Sequence, residues 1–178
     1  MWIEHHKRLA TIILALLSLM IGLNYWTGNQ RRHTLDDFSS VFINALDLAI
    51  SADRDLYQAH TACQNYLMTI GTNPVSAQQE LNQFEQNARQ ALERMRTVSK
   101  LLAHSSPINQ QMGLLESDYI VWLNSTKLMF RMANTNQIEQ ARQYSSGLLN
   151  EHFILLRAHY DTIGELVREL ADAAGNQE

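Results

Sequence analysis

Counting from Leu35 in alternating steps of three and four lands on Leu35, Phe38, Phe42, Ala45, Ala49, Ala52, Leu56, Ala59, Cys63, Tyr66 and Ile70, all apolar or aromatic. That period predicts a long helix over 34–70 with a coiled-coil seam. Gly71 and Asn73-Pro74 are expected to end it. A second helix over 76–104 follows the same rule through Ala77, Leu81, Phe84, Ala88, Ala91, Met95, Val98 and Leu102, with Ser76 as the expected N-cap. A third over 108–134 runs from Ile108 to Ala133, interrupted by Thr126, with Pro107 placed to open it. The fourth, over 137–174, loses phase by one residue near Gly147 and resumes at Leu149, which predicts local unwinding. Short connections make neighbouring helices antiparallel. The expected fold is all-α, an up-down-up-down four-helix bundle over 34–174 with a short tail at 175–178.

A different pattern precedes it. From Leu9 to Gln30 there are 22 residues without a formal charge, and Leu9–Leu23 is almost wholly apolar. As a helix, 9–26 spans roughly 27 Å, close to a hydrocarbon core of about 30 Å. Residues 1–8 then form an N-terminal segment outside the bilayer. Trp2, Tyr25 and Trp26 stand where an aromatic belt would lie. A cleaved signal peptide is the competing reading, and the absence of an A-x-A-like site favours the uncleaved anchor. Lys7 and Arg8 on one side are matched by Arg31 and Arg32 on the other, so charge leaves the orientation open. The first bundle helix would reach about 54 Å from the membrane.

Composition narrows the function. The 178 residues contain seven glycines, two prolines and one cysteine, too few turn residues for a sandwich or barrel and no partner for an internal disulfide. From His33 onward ten Lys and Arg face seventeen Asp and Glu, a balance of −7 that argues against nucleic acid. The sequence has no inward Glu-x-x-His pair, H-E-x-x-H, G-x-S-x-G, phosphate loop or dinucleotide fingerprint. No enzymatic activity, cofactor or metal is expected.

The first helix carries a second stripe: Ile43, Leu46, Ile50, Asp53, Tyr57, His60, Gln64 and Leu67. Half of it is apolar where a helix serving one core would show water. It is either a homodimer contact through Ile43, Leu46, Ile50 and Tyr57, or a widened core-facing stripe. Within it Asp53, Arg54 and Asp55 have no opposite charge three or four residues away. Reflection through the turn near Asn73 sets residue 53 opposite residue 93, so Arg94 is the expected partner of Asp53 or Asp55. Arg54 is then left over, at the height of His152, Arg157 and His159. It is either a solvated arginine or the centre of an anion site. The candidate ligand-contacting set is Asp53, Arg54, Tyr57 and His60 with His152 and Arg157.

The stretches Ala52-Asp53-Arg54-Asp55-Leu56-Tyr57-Gln58-Ala59 and Phe84-Glu85-Gln86-Asn87-Ala88-Arg89-Gln90-Ala91 resemble the four-helix-bundle sensor domain of bacterial methyl-accepting chemotaxis receptors. Glu93-Arg94-Met95, Trp122, and Phe153, Arg157, Asp161, Gly164 and Glu165 extend the match over nearly the whole chain. The resemblance implies an inner-membrane anchor with a cytoplasmic N-terminus, a periplasmic bundle, a homodimer, and a small ligand held near the first and fourth helices. Such receptors continue into a second membrane helix, a HAMP segment and a cytoplasmic coiled coil. A chain ending at Glu178 is therefore expected to be a truncated receptor or a free-standing sensor, alone or in a mixed dimer with a full-length one. The alternative is a non-catalytic envelope scaffold that binds another protein.

Overall fold

The computed structural model describes residues 18–20 and 40–175, with side chains to 173, and every regular element in them is helical. The chain divides into two compact units, Met1–Ser40 and Val41–Glu178. The expected membrane helix over 9–26 lies outside the described residues apart from 18–20. Among the described residues no helix is long and apolar enough to cross a membrane.

Helix α1 covers residues 40–69. Phe42, Ala45, Ala49, Ala52, Leu56, Ala59, Cys63 and Tyr66 are all buried, so its described seam is core throughout. Four alanines among those eight positions let neighbouring backbones approach closely. Helix α2 is Pro74–Leu101, two residues earlier at its start than the sequence predicts. Asn73, not Ser76, is its N-cap: the Asn73 side-chain oxygen accepts from the Ser76 amide at 3.1 Å. Asparagine before a proline at the first helical position satisfies an orphan donor and removes another, so the helix starts there.

Helix α3 is Ser106–Asn134, with Pro107 in its first turn. Its one polar seam residue, Thr126, is fully buried and donates to the Trp122 carbonyl at 2.9 Å, which satisfies the hydroxyl without a partner helix. Asn136 follows with a φ of 60°, and the Gln137 amide bonds to the Met132 carbonyl at 3.0 Å. This is a Schellman termination with asparagine in the left-handed position.

Helix α4 is Ile138–Tyr144, a π-helical turn occupies Ser145–Leu149, and α5 is Asn150–Gly175. Gly147 is non-helical within that turn, at φ −100° and ψ −107°. The phase slip read from the sequence is thus a one-residue insertion with a kink.

Contacts between elements run in opposite numerical order. Asn65 meets Glu80 and Asp55 meets Arg94; Ser99 meets Asn109 and Arg96 meets Glu116. Ser125 meets His152 and Asp118 meets His159; Asp53 meets Arg157 and His60 meets Phe153. Four helix pairs, α1–α2, α2–α3, α3–α5 and α1–α5, are therefore antiparallel at their contacts. One apolar core joins them, with Trp122, Met95, Leu56 and Leu156 fully enclosed.

Candidate functional site

Residues of α1 and α5 whose numbers sum to about 210 face each other, and along that seam the polar and aromatic side chains form a continuous series. Arg157 Nε donates to Asp53 Oδ1 at 3.1 Å. The same guanidinium lies 5.9 Å from the Tyr57 ring centroid. Tyr57 is tilted against Phe153 at 6.3 Å, and Phe153 is stacked on His60 at 3.9 Å with 9° between the planes. The hydrogen bond and charge of Asp53 raise the pKa of Arg157 further above its ordinary value. Both members of that pair are about a third exposed or more, so it orients side chains more than it stabilises the fold.

His60 is only 5% exposed. Gln64 donates to its Nε2 at 3.0 Å, which leaves the proton on Nδ1, and Nδ1 has no partner. Burial without a charged neighbour favours the neutral ring and holds its pKa down to about 4.

Beyond Asp53, toward the start of α1, the seam opens into a groove of about 360 Å³ lined by Leu46, Ala49, Ile50, Asp53, Tyr160, Asp161, Gly164, Glu165 and Arg168. Gly164 faces Leu46 in the 210 register, and its lack of a side chain helps keep the groove open. Tyr160 is 2% exposed, its hydroxyl makes no hydrogen bond, and burial raises its pKa, with Tyr119 of α3 and then the charges of Asp53 and Asp55 adding to the shift.

Four of the expected ligand residues, Asp53, Tyr57, His60 and Arg157, are thus drawn together. The other two are elsewhere. Arg54 is exposed, with its Nε 3.8 Å from Asp55 Oδ1. His152 shares a 2.7 Å hydrogen bond with Ser125 of α3, on another face of α5. Arg94 finds Asp55, the second of its two expected partners. Its Nε is 3.1 Å from Asp55 Oδ2, in full Coulombic contact but without an N–H aligned on that oxygen. The second stripe of α1 divides: His60 and Leu67 are buried and Leu46 half-buried, whereas Ile43, Ile50 and Tyr57 are 67%, 60% and 56% exposed.

The groove's α5 wall, Tyr160, Asp161, Gly164, Glu165 and Arg168, was not among the expected site residues. Reflecting α5 onto α1, as α2 was reflected, finds it from the sequence. Among the described residues no group of three His, Cys, Asp or Glu could hold a metal ion. No family model, curated protein or solved structure matches the chain.

Proposed function

We propose that the chain is a membrane-anchored ligand-sensing domain of chemoreceptor type, a non-catalytic antiparallel four-helix bundle that binds a small molecule at the α1–α5 seam. In this reading residues 9–26 anchor it in a bacterial inner membrane, the N-terminus is cytoplasmic, and the bundle lies in the periplasm. Two copies pair through the exposed face of α1, where Ile43, Ile50 and Tyr57 recur every seven residues. The observation that supports it most is the alignment of Asp53, Arg157, Tyr57, Phe153 and His60 beside an open groove.

A ligand that binds only the folded state raises its melting temperature. The full chain in detergent, screened against a panel of small metabolites, is expected to show a saturable rise with one chemical class. Arg157→Ala is expected to weaken that response. An inert panel, together with stoichiometric co-purification of another envelope protein, favours the scaffold reading.

A further inference from the structure

We propose that His60 is an acid-operated latch on the α1–α5 seam: its neutral ring holds Phe153 in place, and its protonated ring leaves the core and frees that stretch of α5 while the bundle stays folded. The latch works whatever the groove binds. Both rings are buried, His60 at 5% and Phe153 at 6% exposed, and they lie face to face at 3.9 Å. His60 has one hydrogen bond, from Gln64 to Nε2, and its buried Nδ1 has none. Its neighbours on the same stripe, Tyr57 one turn before it and Gln64 one turn after, are both exposed. Water is therefore about one side chain away in either direction, and the ring can leave without unwinding α1.

A proton arriving on this ring goes to Nε2 and turns an acceptor into a donor that faces the Gln64 amide. The face of Phe153 attracts a cation, but a buried charge without a paired anion favours water. No carboxylate answers it. On α1, Asp53 is held by Arg157, Asp55 is held by Arg94 of α2, and Arg54 is exposed. On α5, Arg157 is itself a cation, Glu151 is exposed, and His152 turns to Ser125 of α3. At the same height the charged groups of α2 and α3, Glu85, Arg89 and Lys127, are exposed. Burial alone lowers the ring's affinity for a proton, so exit restores it. Phe153 carries the change along the seam. Tyr57 leans on Phe153 at 6.3 Å, Arg157 lies over Tyr57, and Arg157 holds Asp53. An ion pair so exposed contributes little by itself, and its alignment depends on the rings beside it.

The test uses the chain's single cysteine as its reporter. Cys63 is fully buried and stands one turn from His60. The full chain in detergent, native and His60→Phe, is treated with a dipyridyl disulfide, which exchanges with thiols in acid and releases a thiopyridone read by its absorbance. Taking the ratio of the native rate to the variant rate cancels the reagent's own pH dependence. The open ring titrates near 6.5 and the closed ring near 4, so the ratio is expected to rise about 30-fold from about pH 7.5 to about pH 5. Labelling of the native chain near pH 5 is also expected to ignore low urea, because a local opening exposes little surface. A ratio that stays flat with pH overturns the proposal. A native rate that climbs steeply with urea overturns it too, since labelling then runs through global unfolding. His60→Leu takes the place of the phenylalanine variant if that one fails to fold.

Discussion

Asp53 and Asp55 stand two positions apart on α1 and are answered from different sides, Asp53 by Arg157 of α5 and Asp55 by Arg94 of α2. Their surroundings differ as much as their partners. Asp55 is 3% exposed, whereas Asp53 borders an open groove.

The two pairs therefore differ in worth. Removing one partner of a buried pair strands a charge at a cost of about 3–5 kcal/mol, while an exposed pair contributes about 0–1 kcal/mol. Because Arg94 is itself partly exposed, Arg94→Ala is expected at the lower end, about 3 kcal/mol, and Asp53→Asn below about 1 kcal/mol. Urea denaturation of the two variants checks the order; equal losses contradict it.

Acid should destabilise the fold through His60. The folded ring resists protonation down to about pH 4, while its unfolded counterpart titrates near 6.5. Between those values the unfolded chain takes up a proton that the folded chain excludes. Stability is complete above about pH 6.5 and falls as pH drops toward 4, by at most about 3 kcal/mol. His60→Phe should flatten this part of the pH profile. An unchanged slope would remove His60 as its source.

Asn136 has a left-handed backbone that glycine adopts freely and β-branched residues resist. Asn136→Gly is expected to be neutral or slightly stabilising. Asn136→Val is expected to cost about 1–2 kcal/mol. Thermal melts of the two variants should differ in that direction.

Pairing of copies through α1 makes a hydrodynamic prediction. Ile43→Glu with Ile50→Glu places charge on residues already in water, so the monomer's helix content should survive while the dimer is lost. Sedimentation of the full chain in detergent reports it, and an unchanged mass would refute pairing through this face.

Much of this architecture is written in the spacing of apolar residues, and the exceptions have physical causes. The α1 seam is legible because burial repeats with the helix's own period, and each of its members from Phe42 to Tyr66 is buried. His60 is not legible that way: it lies off the seam and is covered by Phe153, a ring supplied by another helix. Its burial depends on what α5 places there, which no periodicity of α1 records. The spacing places the start of α2 two residues late because Ser76 looks like a cap, whereas Asn73 and Pro74 together set an earlier one. Asp53, Tyr57 and His60 stand out as charge and aromaticity on one stripe of α1, and Arg157 by its height on the last helix. The acidic wall of the groove needed the register between α1 and α5.

That register depends on the π-helical turn at Ser145–Leu149. Each residue turns an α-helix by about 100°, so the inserted position acts as a phase setter for everything after it. Removing one residue there would leave every groove side chain chemically intact. It would also swing Phe153, Arg157 and Tyr160 together by about 100° around the helix axis, away from His60 and Asp53. The recognition surface is thus timed from outside itself, by a glycine-containing turn that lines none of the groove.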